Sequence, residues 1–315
     1  MLTSLFKTES STSSSTPTTI SSTSASSTST TTSSTTSSTS VTSTTTSSSP
    51  TSKTTSTSTT TSTTTSTTTS ACNLFLNRTT YSTGGKPWSV AVSDVNNDNK
   101  SDIIVANYDW NNVSVLLNTG NGTFHAQTTY SISSGPCYVA VVDVDSDNKP
   151  DMIVANFDSN TVSVLLNASN GTFNAQTTYS VGTNPISVAV VDVNNDNKPD
   201  IIVANYNSNN VGVLLNTGNG TFNVQTTYPV GTGPWSVSVV DVNNDNKPDI
   251  IVANYGSNTV GVLLNTGNGT FNAQTTYSVG VGPRSVAVVD VNNDNKPDII
   301  VANSGSNNVG VLLHC

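Results

Sequence analysis

The feature that most constrains this chain is a repeat. An Asp that opens an Asp/Asn-rich stretch recurs at Asp94, Asp143, Asp192, Asp241 and Asp290, a constant spacing of 49 residues, and five such units fill residues 72–315. A fixed period of about 20–50 residues marks an array of supersecondary units, each of which buries its apolar face only by stacking on a neighbour. Whatever one unit folds into, the domain builds five times.

Within one unit, four short runs are rich in Val, Ile, Thr and aromatics: SVSVVDV from Ser236, DIIVANY from Asp249, TVGVLLN from Thr259 and TFNAQTTY from Thr270. Asn, Gly, Asp and Pro separate them, which is strand-and-turn chemistry, and no stretch carries a helical period. Each unit reads as a four-stranded antiparallel meander, a propeller blade rather than a solenoid coil. The last unit stops after its third strand, NVGVLLHC, while the repeated region opens with LFLNRTTYSTG, which aligns with the fourth-strand run TFNAQTTYSVG. Closing a ring requires this permutation, because the N-terminal strand then completes the C-terminal blade. The expected fold is an all-β, five-bladed β-propeller over 72–315, closed by an N-terminal strand. On the repeat, Cys315 takes the place of Thr266 and Cys72 that of Asn268, two positions apart across the chain break. That is within the roughly 4.4–6.8 Å Cα separation a disulfide spans, so a Cys72–Cys315 bridge is expected, with two free thiols as the alternative. Cys137 is left unpaired.

Residues 1–71 are almost entirely Ser and Thr and cannot bury a core. They are expected to be a disordered stalk or linker, of the composition that carries O-glycans. The net charge of −9 is not spread over the surface: apart from Glu9, Asp109 and Asp158, every acidic residue lies in the five repeated loops. With no Glu beyond Glu9 and few basic residues, the repeated region offers no basic face for nucleic acid. No apolar run approaches the roughly 18–20 residues that span a bilayer. The N-terminus, MLTSLFKTES, holds no apolar stretch of secretory length. Sequons at Asn77, Asn112, Asn121, Asn167, Asn170, Asn219 and Asn268 nevertheless point outward, and an extracellular or cell-surface monomer is expected.

The loops carry the chemistry. Each reads DVNNDNKPD or a close variant, DVNNDNKSD at Asp94 and DVDSDNKPD at Asp143. Position 1 is Asp94, Asp143, Asp192, Asp241 or Asp290; position 3 is Asn96, Asp145, Asn194, Asn243 or Asn292. Position 5 is Asp98, Asp147, Asp196, Asp245 or Asp294; position 9 is Asp102, Asp151, Asp200, Asp249 or Asp298. Position 7, which is Lys100, Lys149, Lys198, Lys247 or Lys296, offers its carbonyl. Alternate residues of a tight loop deliver the six to eight hard oxygen ligands that calcium takes. One Ca2+ per repeat, up to five, is the expected cofactor. An EF-hand does not fit, because it needs Gly at position 6, Glu at position 12 and flanking helices, where the first loop has Asn99, Val105 and strands. Asn at position 6 still tolerates a left-handed turn. The plainer alternative is that Asp and Asn merely make turns, but three or four carboxylates within nine residues repel one another unless a cation neutralises them.

The run GPWSVSVVDVNNDNKPDIIVANYGSNTVGVLLNTGNGTF, from Gly233, resembles the FG-GAP/VCBS repeat of integrin-alpha-type propellers and their secreted bacterial and fungal relatives, and the resemblance covers 72–315. It implies a β-propeller with calcium at loop positions 1, 3, 5 and 9, carried here onto Asp241, Asn243, Asp245 and Asp249, for example. The chain departs from that family in two ways: the usual loop Gly is Asn, and integrin-type rings have seven blades where five units stand here.

In such a meander the metal loops and the sequons Asn121, Asn170, Asn219 and Asn268 share one face, which leaves the opposite face to a partner. That face is also where the units differ, with Trp88, Cys137, Ile186, Trp235 or Arg284 after the Gly/Pro link and Tyr108, Phe157, Tyr206, Tyr255 or Ser304 after the second strand. Trp88, Trp110 and Trp235 are the candidate contacts, with packing between blades as the alternative. A binding or adhesion module for glycans or extracellular proteins leads; the carbohydrate ligand is implied by the resemblance, some of whose members are lectins. A purely structural, calcium-stiffened module is second, and a polysaccharide-active enzyme third. Catalysis is not expected, since the carboxylates outside the loops, Asp109 and Asp158, and the only two histidines, His125 and His314, fall in different units.

Overall fold

The computed structural model describes residues 78–315, so the Ser/Thr tract and Cys72 of the expected disulfide lie outside the described residues. The third unit shows the plan. Its strands Pro185–Val191, Asp200–Asn205, Asn210–Leu214 and Thr226–Pro229 form one antiparallel sheet in sequence order. Val188 pairs Val203, and Val203 pairs Gly212. The same sheet begins at Pro87, Pro136 and Pro234, giving four complete four-stranded sheets. Successive sheets pack through their first strands, Pro87–Ser93 on Pro136–Val142 and so on to Pro283–Val289. The central second strand is therefore covered on both faces, which explains why it reads DIIVAN without polar alternation: all six residues of Asp200–Asn205 are buried.

Two sequence expectations need amendment. The run TFNAQTTY is not one strand. Thr270–Phe271 pairs with Asn265–Gly267 in a small separate ribbon, and only Thr275–Ser278 joins the sheet. The cause is the Asn268-Gly269 pair, both at positive φ, which folds the chain back on itself five residues after the sheet strand ends at Leu263. Each ribbon Phe then packs edge-on against the fourth-strand Tyr of the unit before it, as Tyr130 on Phe173, Tyr179 on Phe222 and Tyr228 on Phe271, all at 5.4 Å between ring centroids.

The second amendment concerns the ends. The fifth sheet has three strands, Pro283–Val289, Asp298–Asn303 and Asn308–Leu312, and residues 78–83 belong to no strand. Val309 and Val311 on its outer strand are consequently 65% and 51% exposed. A groove of about 270 Å³ lined by Leu264, Tyr277, Leu312 and His314 lies where the other sheets receive a ribbon Phe. Tyr81, however, sits on Phe124 at 5.4 Å, as the fourth-strand Tyr of a preceding blade would. Cys315 is exposed, and Cys137 is a buried free thiol whose burial pushes its pKa well up.

Because the second strand of the third unit is sealed between neighbouring sheets, Ile202, fully buried, is expected to tolerate no truncation: Ile202→Ala should lower unfolding stability by about 2–5 kcal/mol, read as a shifted urea midpoint.

Candidate metal centre

The Asp/Asn nonapeptide is the turn between first and second strands. In the first loop Asp94 accepts the amides of Asp98 (3.1 Å) and Asn99 (2.6 Å), Asn96 accepts that of Asp98 (3.1 Å), and Asp98 accepts that of Lys100 (3.0 Å). The remaining loops repeat the pattern, with the amides of Asn148, Asn197, Asn246 and Asn295 on the position-1 carboxylate. Positions 4 and 6 are left-handed throughout, for example Asn195 at φ 61° and Asn197 at φ 62°. Asn is the non-glycine residue best suited to that conformation, which is why Asn in place of the usual Gly still builds the turn. The side-chain oxygens of positions 1 and 3 thereby meet on the amide of position 5, while the position-5 carboxylate turns to the residue at position 7.

Position 9 closes the cage from below. Asp102, Asp151, Asp200, Asp249 and Asp298 are fully buried at the head of the second strand. One oxygen of Asp200 accepts the amide of Val193 in the loop (3.0 Å), the other the amide of Asn216 in the ribbon (2.7 Å). Burial pushes the carboxyls of Asp151 and Asp200 up to about 6 and raises those of Asp102 and Asp249. Asp98 and Asp147, open to water, are instead held below the usual range, chiefly by hydrogen bonds from Lys100 and Lys149. In four loops the position-7 ammonium lies on the position-5 carboxylate, at 2.5–3.4 Å. In the second loop, where position 3 is Asp145 rather than Asn, carboxylate oxygens of Asp143, Asp145 and Asp151 lie within 4.8 Å of one another. Chemically, clustered carboxylate and amide oxygens around one point suit a hard, oxygen-seeking divalent cation, and the donor set fits calcium.

The opposite end of the strands is aromatic. Backbone bonds from Tyr108 to Lys86 and from Phe157 to Gly135 bring the link and the turn after the second strand together there. Tyr108 and Phe157 are buried, so these residues pack between sheets. Half-buried Trp88 stacks on Tyr108 at 4.5 Å, with the Lys86 ammonium over both rings. Trp235, also half-buried, lies between Tyr206 and Tyr255 under the Arg284 guanidinium. Trp110 alone of the three tryptophans is open, at 60% exposure. Asp109 pairs with Lys86, and Asp158 accepts the Tyr108 hydroxyl at 2.9 Å. The sequons Asn121, Asn170, Asn219 and Asn268 are exposed at the ribbon tips, on the side of the Asp/Asn loops. Asn167 is different: it is buried and donates to the carbonyls of Val95 and Pro150. Asn167, Asn216 and Asn265 are the residues that sequence reading missed; the signal was their invariant place three residues before each ribbon tip.

Stacked four-stranded sheets, each with one Asp/Asn loop at the same corner, define a tandem-repeat, propeller-like β protein. The FG-GAP-like repeat model matches residues 94–154, 143–203, 192–252 and 241–301, and the chain belongs to that family. No curated protein matches the chain in sequence. Among solved structures it is similar to a putative 6-phosphogluconolactonase from Bacteroides uniformis, with 16% identity, 72% of this chain and 66% of that one covered, and a TM-score of 0.56. A functionally unknown protein from Desulfotomaculum acetoxidans follows, with 13% identity, 74% and 70% covered, and a TM-score of 0.52. A lectin from Agrocybe aegerita that recognises non-reducing terminal N-acetylglucosamine gives 18% identity, 71% and 65% covered, and a TM-score of 0.47. The chain spans about two thirds of the length of the first and last of these. No helix among the described residues is long and apolar enough to cross a membrane.

A buried carboxyl with a raised pKa binds its proton more tightly folded than unfolded, so its contribution to stability is lost as pH rises from about 4 through 6. In chelator, the protein is expected to lose on the order of 1–2 kcal/mol for each of Asp151 and Asp200 over that window, measured by urea unfolding at pH 4.5 and 7.

Proposed function

We propose that this protein is an extracellular, calcium-binding propeller module that holds a glycan or a protein ligand on the face opposite its metal loops. The observation that carries the reading is one oxygen cage built five times, with Asp at positions 1, 5 and 9 and left-handed turns at positions 4 and 6. Calcium supplies the positive charge that the crowded carboxylates of Asp143, Asp145 and Asp151 call for. The Lys149–Asp147 pair is a surface ion pair and yields at little cost. Trp110 presents a flat apolar ring at the opposite face, the shape on which a sugar stacks, while Trp88 and Trp235 are packed against Tyr108 and Tyr206. The repeated carboxylates are assigned to the metal, and no catalytic pair is assigned.

The same reading includes ring closure by five blades. In the closed ring, residues 79–82 would add to Asn308–Val311 in the register that Thr275–Ser278 takes on Thr259–Val262, and would cover Val309 and Val311, which the three-stranded fifth sheet leaves exposed. The packing of Tyr81 on Phe124 supports it. Non-reducing peptide mapping of the monomer is expected to recover a Cys72–Cys315 peptide; free thiols or an inter-chain disulfide would overturn closure.

A purely structural, calcium-stiffened role is the second reading, favoured by the enclosure of Trp88 and Trp235 in cation–π stacks. Thermal unfolding separates the elements of the proposal. Millimolar calcium should raise Tm by about 5 °C or more over chelator, and no rise sinks the metal reading. On a glycan and matrix-protein array run in calcium, capture that Trp110→Ala abolishes supports the binding role; no capture leaves the structural one.

A further inference from the structure

The metal loops are not isolated from one another. Asn167 of the second unit donates its side-chain Nδ2 to the carbonyl of Val95, the second residue of the first loop, at 2.9 Å. Asn216 donates in the same way to Val144 of the second loop (2.8 Å), and Asn265 to Val193 of the third (2.9 Å). Each of these Asn residues is at most 4% exposed, and each uses its second Nδ2 hydrogen on a carbonyl of its own loop, Pro150, Pro199 or Pro248, at 2.9–3.0 Å. The backbone amide of the same Asn donates to the position-9 carboxylate of its own unit: Asn167 to Asp151 (2.8 Å), Asn216 to Asp200 (2.7 Å) and Asn265 to Asp249 (2.8 Å). That carboxylate in turn accepts the amide of the loop's second residue, Val144, Val193 or Val242, at 2.9–3.0 Å. A continuous line of hydrogen bonds thus runs from loop to loop, entering each through a buried Asn and leaving through a valine carbonyl.

We propose that Asn167, Asn216 and Asn265 couple the first four metal loops, so that filling one loop tightens divalent-cation binding in the next. The proposal rests on the metal reading above and adds to it. A loop without its cation is loosened by repulsion among its carboxylates; a cation pins the nonapeptide and with it the carbonyl of its second residue. The pinned carbonyl of Val95 fixes Asn167, and Asn167 holds one oxygen of Asp151 in place for the second loop. Part of the ordering that the second cation requires is then already done, and by reciprocity the second loop does the same for the first. Both bonds of each Asn are needed, because the side chain reads the neighbouring loop and the backbone amide acts on its own.

The line has definite ends. The corresponding residue of the first unit, Asn118, turns its Nδ2 to Ser101 of its own loop. In the fifth unit the place is taken by His314, whose amide still donates to Asp298 (2.8 Å) but whose Nδ1 is buried without a partner, and the bond to Val242 is not made. Three links therefore join four loops, and the loop from Asp290 to Asp298 stands apart.

The test is isothermal calcium titration of the metal-depleted full chain. A sigmoidal isotherm with a Hill coefficient well above 1 is expected, together with one uncoupled site. Asp143→Ala with Asp147→Ala, which disables the second loop at its solvent-facing positions, should weaken binding at the remaining coupled loops by about 5-fold or more, a typical coupling. The matching pair in the fifth loop, Asp290→Ala with Asp294→Ala, should remove one site and leave the others unchanged. Asn167→Ala, Asn216→Ala and Asn265→Ala together should keep the number of sites and bring the Hill coefficient to 1; if that variant does not fold, the two loop knockouts decide alone. Independent sites in the wild type, or knockouts that each remove one site without affecting the rest, overturn the coupling and leave the metal reading standing. A titration with no calcium binding overturns both.

Discussion

At the ninth position of every loop a carboxylate is removed from water, and where it is Asp200 its two oxygens are taken by amides from two different segments, the loop before it and the ribbon after the third strand. This clamp determines where the loop ends, where the second strand begins and how the ribbon folds back. It also stores an electrostatic demand, because two neutral donors do not compensate a buried charge fully, and the carboxyl responds by holding its proton more tightly. The proposed cation would remove that demand, so the side chain that fixes the architecture is also the one the proposed site depends on, repeated five times.

The units are near copies on the metal side and divergent on the other. The loops keep one backbone shape, and the changes there are small: Asp145 for Asn, Ser101 for Pro, or Ser146 at a left-handed position that Asn occupies elsewhere. At the opposite face the residue that enters the wedge between sheets varies from unit to unit, Trp in two, Cys, Ile and Arg in the others. Trp88 is clamped under Lys86, Cys137 is fully enclosed with a silenced thiol, and Trp235 lies under Arg284. Such asymmetry confines any distinctive partner surface to one sector, near Trp110, rather than spreading it around all five units.

Much of the fold was legible because the chain repeats. The strand runs, the antiparallel order and the placement of loops and sequons at one end follow from alternation, turn residues and a constant spacing, since short-range sterics dictate them. The ribbon inside TFNAQTTY was not legible, because Thr and Phe favour a strand in either pairing and only the positive-φ Asn-Gly turn selects the nearer partner. Asn167 fits the glycosylation pattern in sequence yet is enclosed between blades in the fold.

By itself, then, the sequence determined the repeat, the strand content, the loop chemistry and the membership in an FG-GAP-like family, all properties of residues close together along the chain. Only the tertiary structure decided which aromatics are packing and which is open, that the ninth-position carboxylates lose all contact with water, and that an Asn in one blade holds a loop in another. Those facts join residues as many as 72 positions apart, and burial and hydrogen bonding at that range exist only once the sheets have stacked.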